Sequence, residues 1–361
     1  ERLELGRQFT TGKECYPCIL TTGDMVKRTR RPDFDPETTA FFMPQACGPC
    51  RFGQYHHFHR MVLDELGLRD VPMIVLDQGR GFRKDVRGFG PGFYRTCWQL
   101  TLIVDFLLKA VHEIRPYEVN EGETDRVYQE GLQELAEVVE GHGDHMARAA
   151  EIRRRLESIP TDRSEPRPIV GIVGEIYVRS HAFANSFLVR KLERLGAQVL
   201  LPPLQEWLDY IAAERRATSR QRGAFGELAL EALAQWVCRR DERRVAAVFD
   251  GLAGPMPRES SMRDVLRIGS RYLDPSVKGE AILSMARAAE YAHHGVHGIV
   301  NVSPFGCMPG AIVNGLLEEF RRDHDAIPVL RLAFDGVDQP GEDMLLDAFV
   351  HQARQRLNGR P

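Results

Sequence analysis

No apolar run in the sequence approaches the roughly 18 residues that a membrane span requires, and no signal-peptide pattern is present. A basic excess is missing too: 48 Lys and Arg stand against 51 Asp and Glu, a net charge of −3, with a pI near 6.5. Nothing in that balance recommends nucleic acid as a partner. Seven cysteines in 361 residues are too few for a disulfide scaffold, and their C-x-x-C pairs favour metal binding in a reducing compartment. A cytoplasmic location, away from membrane and nucleic acid, is the expectation. The P-loop pattern G-x-x-x-x-G-K-S/T does not occur, so an ATPase acting with this chain has to lie elsewhere. Repeats and low-complexity tracts are absent as well. The first residue is Glu1 rather than Met, which we read as a piece cut from something longer.

What is present suits two cored domains, because 43% of 361 residues are hydrophobic and that length can bury two interiors. The segment 160–168 carries three prolines and several charges and reads as the linker, dividing the chain into 1–165 and 166–361. Predicted strands at 39–43, 72–76, 169–174, 198–201, 245–249, 298–302 and 329–334 alternate with helices at 19–29, 55–66, 98–113, 184–195, 207–240, 277–294, 314–322 and 344–357. Such alternation predicts parallel sheets with right-handed crossovers. The polar stretch 124–159 reads as a helical hairpin or one long helix joining the halves. The expected fold is therefore α/β: two doubly wound, mostly parallel-sheet domains, with a helical connection and a site at the interdomain cleft. Ligands of such sheets collect beyond the carboxyl ends of the strands, where the 79–92 glycine-rich loop should also lie.

The cysteines gather at those predicted strand ends. Phe41-Phe42-Met43-Pro44 runs straight into Cys47-Gly48-Pro49-Cys50. A second pair stands in Glu14-Cys15-Tyr16-Pro17-Cys18, and Gly306-Cys307-Met308-Pro309-Gly310 adds one more thiol. Two C-x-x-C pairs can close a tetrahedral zinc site, and a single pair can serve as a redox dithiol. Glycine- and proline-rich loops can also hold an iron–sulfur cluster, their amides pointing at the sulfides. Cys307 favours the cluster, since a four-cysteine zinc site would not need it. At a helix start, its pKa should fall. Cys97 follows the glycine-rich loop and could add a thiolate or pack in a core. Cys238, in a polar helix, is not expected to be a ligand.

With Gly174-Glu175-Ile176-Tyr177-Val178-Arg179 and Leu200-Leu201-Pro202-Pro203, these motifs resemble the 2-hydroxyacyl-CoA dehydratase subunits and double-cubane-cluster proteins. The likeness is closest to the dehydratase-like region of large proteins that carry a BadF/BcrA-type ATPase activase, and it runs over nearly the whole chain. It is more specific for the family than for the reaction. It implies Cys15, Cys18, Cys47, Cys50 and Cys307 as cluster ligands. Dehydratases hold a 4Fe–4S cluster on three cysteines. The double cubane, 8Fe–9S, takes six, and Cys97 would be the sixth; that larger cluster is the one expected.

Around the cluster, Glu175 is the expected proton relay, with Tyr177 and Arg179 as pocket groups. His56, His57 and His59 cannot all face one ion from adjacent helical positions; one could donate a proton. Gly171 and Gly174 lack a full dinucleotide fingerprint. Arg179, Arg190 and Lys278 are the cations offered to the phosphates of a thioester substrate. The functional expectation is an oxygen-sensitive, dimeric iron–sulfur oxidoreductase that takes low-potential electrons from the activase and reduces a small molecule. The alternatives are a 2-hydroxyacyl-CoA dehydratase-type subunit, and a zinc-stabilised or metal-free regulatory binding module.

Overall fold

The computed structural model describes residues 1–46, 48, 50–77, 90, 92–251 and 260–359. Helices and parallel strands share the chain, an α/β architecture. In the first half the strands β1 (Phe41–Gln45) and β2 (Met73–Asp77) pair in parallel, Phe41 opposite Met73 and Gln45 opposite Asp77. They accompany α1 (Arg2–Arg7), α2 (Tyr16–Thr29), α3 (Tyr55–Glu65), α4 (Phe93–Ile114), α5 (Glu123–Glu140) and α6 (His145–Glu157).

The second half carries β3 (Ile169–Gly174), β4 (Gln198–Leu200), β5 (Gly298–Pro304) and β6 (Val329–Phe334). All pair in parallel, in the spatial order β4-β3-β5-β6. Its helices are α7 (Ile176–Ser180), α8 (Leu188–Arg194), α9 (Gln205–Gln221), α10 (Phe225–Val248), α11 (Met262–Gly269), α12 (Glu280–His293), α13 (Met308–Asp323) and α14 (Glu342–Leu357). Strand side chains alternate between faces, and both faces of this sheet are covered. Val170, Ile172, Val300 and Val302 meet Leu192 of α8 and Phe349 of α14. Val173 and Ile299 meet Met285 of α12 and Phe320 of α13 on the other side. The continuous apolar runs of β3 and β5 are what a doubly covered strand requires.

The halves share interior. Tyr16 and Leu20 of α2 belong to the same core as β3 and β5. A helical layer joins Leu102 and Leu107 of α4, Ile152 and Leu156 of α6, and Val245 at the end of α10.

Several boundaries differ from expectation. Residues 245–249, read as a strand, end α10 instead. Asp241, Val245 and Phe249 recur every four residues and are all buried. A short apolar run cannot by itself distinguish strand from buried helix. The helix expected from 184 starts at Leu188, because the Asn185 side chain bonds the carbonyls of Val178 and Arg179 and accepts from the Leu188 amide. The 124–159 region is a hairpin, α6 being capped by Asp144 through the amides of Met146 and Ala147. Among the described residues, no helix is long and apolar enough to cross a membrane.

Candidate functional site

From β3 the chain crosses to β4 on one side of the sheet, and from β5 to β6 on the other. The crevice beyond the carboxyl ends of β3 and β5 is therefore a topological switch point, where such sheets place their ligands. β3 ends on Gly174 at φ 115°, where a Cβ would stand 2.0 Å from the Val302 carbonyl oxygen. Only glycine permits that approach. The next amide, of Glu175, donates to the same carbonyl at 2.9 Å, and Glu175 then caps α7, accepting from the Val178 amide at 2.7 Å. β5 leads through a Phe305-Gly306 turn to Cys307, which caps α13.

The crevice opens into a cavity of about 870 Å³. Cys15, Cys50 and Cys307, from three separate loops, all line it. Cys15 precedes α2, whereas Cys50 precedes the short turn Arg51–Gln54 and accepts from the Phe52 amide at 3.5 Å. One side chain ties the three loops together. Arg51 donates to the Lys13 carbonyl at 2.9 Å and to the Gly306 carbonyl at 3.4 Å. The Tyr55 hydroxyl donates to the Cys15 sulfur.

Other candidates are placed differently. Cys18, in the first turn of α2, is not part of the cavity lining but packs beside Cys15, Met43 and Tyr55. Cys97 is exposed on α4 and does not line the cavity. Cys238 lies beside Tyr94 and Trp98. Cys47 falls outside the described residues, as does the 79–92 loop apart from Gly90 and Gly92. None of His56, His57 and His59 lines the cavity; His59 meets the Thr21 hydroxyl at 3.2 Å, and burial pushes it down to about 4.

Burial dominates the thiols. Cys50 and Cys307 are pushed up to about 12, and Cys15 is raised. The expected lowering at Cys307 fails because loss of water outweighs the Gly310 amide, with Glu280 and Cys15 adding repulsion. Such thiols stay protonated until a cation displaces the proton. The starts of α2, α12 and α13 meanwhile bring their positive dipole ends to the cavity wall. That environment suits bound thiolates once a metal is present. Among the described residues, no three His, Cys, Asp or Glu side chains gather tightly enough for a single ion. Cys15, Cys50 and Cys307 border the cavity instead.

Beside them stands a pair of carboxylates. Glu280, buried at the start of α12, accepts from the Ile176 amide at 3.3 Å. Burial and the neighbouring Glu175 push it up to about 8. Glu175 is also raised by burial, against the opposing pull of the Val178 and Tyr177 amides and Arg179. Both carboxyl groups therefore favour their protonated form more than exposed ones would. Tyr177 lines the cavity with its ring stacked on His181 at 5.1 Å. Arg179 is buried, donating to the Gly174 carbonyl.

Of the cations named for phosphates, Arg179 and Arg190 line the cavity, whereas Lys278 pairs with Glu214 at 2.9 Å away from its lining. Sequence reasoning missed Glu280, two residues beyond Lys278, although a glutamate opening an otherwise apolar helix was visible. It also missed the wall from α4, where Asp105, Lys109 and His112 recur at i, i+4 and i+7 on one face of an apolar helix. Asp105 caps α9 through the Leu204 and Gln205 amides at 3.0 and 2.9 Å. Compared with known proteins, the chain matches no protein-family model and no curated protein.

Proposed function

We propose that the chain is the substrate-bearing component of an iron–sulfur oxidoreductase, its cluster held by Cys15, Cys50 and Cys307, with Cys47 a further donor. The observation that carries this reading is the meeting of three thiols from three loops on one cavity wall, beside a proton-holding carboxylate pair. The same reading takes residues 1–165 and 166–361 as two doubly wound α/β units framing the cavity. With three thiols lining the cavity among the described residues, this reading takes a 4Fe–4S cluster over the double cubane, for which the exposed Cys97 makes a poor sixth ligand. Bound there, the cluster would supply one-electron chemistry at a potential set by burial and hydrogen bonding. Glu175 and Glu280 hold the accompanying proton, Arg51 fixes the loops, and Tyr55 donates to the Cys15 sulfur. Electrons come from a BadF/BcrA-type ATPase activase, and the protein works as a dimer in the cytoplasm. A cavity near 870 Å³ falls within the range for drug-sized ligands, about 300–1,000 Å³, so the substrate is an organic molecule of more than two carbons.

Anaerobic purification with metal and sulfide analysis tests this. About four irons and four acid-labile sulfides per chain are expected for one such cluster. Cys15, Cys50 and Cys307 should resist alkylation until iron is chelated, while Cys97 labels at once. Stoichiometric zinc without sulfide would place the chain among zinc-stabilised modules instead. Dehydration of a 2-hydroxyacyl-CoA, with activase and ATP but no reduction of free substrates, would favour the dehydratase-type alternative.

A further inference from the structure

Five cations line the cavity among the described residues: Lys109, Arg115, Arg179, Arg190 and Arg287. Four face carboxylates. Arg115 forks onto Glu193 through two bonds of 2.8 Å and reaches Asp125 at 3.1 Å. Arg190 bonds Asp125 and lies 3.8 Å from Glu193. Arg287 is held between Glu206 and Glu290. Arg179 lies in the field of Glu175 and Glu280.

Lys109 is different. It is half-buried in the middle of α4, and no described residue offers it a hydrogen bond or an ion pair. The same wall carries Val104, Leu108, Val189, Leu201 and Leu208, and Asp105, one turn before Lys109, turns its carboxylate to the Leu204 and Gln205 amides. An ammonium taken partly out of water without a counter-charge is costly. His112, one turn further along, adds no charge, since burial and the nearby Arg115 and Arg190 push it down to about 3. Among the described residues Lys109 is therefore the lining cation without a direct acid partner, with a neutral imidazole one turn away and apolar side chains on the same wall.

We infer that Lys109 anchors a carboxylate subsite, and that the cavity takes a monocarboxylic acid with an apolar body. A thioester of coenzyme A fits the wall poorly. Its several phosphate charges need several unpaired cations, and the arginines of this wall already carry acid partners. The inference rests on the proposed function only in taking the acid to be the substrate; the subsite itself needs no cluster.

Titration calorimetry of the anaerobically purified full chain, with hexanoate, hexanamide and coenzyme A as probes, tests it. Hexanoate should bind at least about tenfold tighter than its neutral isostere hexanamide, about 1.4 kcal/mol. Lys109→Met should erase that preference while leaving hexanamide binding unchanged, and Lys109→Arg should keep most of it. Circular dichroism melts check that both variants are folded, and the comparison of the two probes on the unaltered chain needs no variant. Equal binding of hexanoate and hexanamide would overturn the inference, as would no binding of hexanoate. So would a preference that survives in Lys109→Met, or Lys109-dependent binding of coenzyme A tighter than that of hexanoate. The heats are read whether or not the chain carries iron. A missing cluster would thus defeat the redox function alone, and a missing preference the carboxylate subsite alone.

Discussion

Glu280 opens α12 with its carboxylate beside Glu175, and burial lifts it from an ordinary value of 4.5 to about 8. Between those values the folded chain keeps a proton that the unfolded chain has released, so stability present below 4.5 drains away as pH climbs to about 8. Glu280→Gln removes that group's titration and leaves that of Glu175. The melting temperature of the metal-free chain should fall between about pH 5 and pH 8, and that of the variant should fall less. Parallel melting curves for the two proteins would count against a proton held at Glu280. The role of this residue was not legible in the sequence, although its place at the start of an apolar helix was, and the same holds for Lys109 on α4. The cysteine loops could be read because C-x-x-C beside Gly and Pro is a local pattern. The roles of Glu280 and Lys109 come from neighbours far along the chain, which no local pattern records.

At the level of elements, the strands around the switch point were read well. The apolar run of β3, and of β5 up to Asn301, has no other means of burial than a covered sheet. Errors came where one side chain or a tertiary neighbour decides: Asn185 delays α8, and packing against α4 keeps 245–248 helical. Gly174 tests the junction between strand and site. Alanine there would place its Cβ 2.0 Å from one Val302 backbone atom and 2.8 Å from another, at a φ that disfavours side chains. Gly174→Ala should cost about 3 kcal/mol in urea unfolding and expose Cys307 to alkylation. Gly226→Ala is the control. It lies in the first turn of α10 with nothing within 4 Å of a Cβ, and should be neutral or stabilising by up to about 1 kcal/mol. Similar losses in both would show that the contact with Val302 is not what matters.

On the scale of the whole molecule, α2 shares its core with β3 and β5, and the α4–α6–α10 layer draws on both halves. The linker at 160–168 is itself tied back, since the Asp162 amide donates to the Tyr117 carbonyl at 2.8 Å. Unfolding should therefore be one transition. Far-ultraviolet circular dichroism and the fluorescence of Trp98, Trp207 and Trp236 should trace coincident urea curves, and two separated midpoints would mean independent halves. The Arg51 latch has a consequence in time as well as in space. It spans 255 residues of chain to reach the Gly306 carbonyl, and ribosomes add about 5–20 residues each second. Each newly made molecule thus spends roughly 13–50 s with Cys15 and Cys50 synthesised and their third companion still unmade. During that interval the two thiols lack part of the wall that buries them and stand open to oxidants and stray metal ions. Under the proposed cluster reading, that interval is when a half-built ligand set stands most open to oxidation.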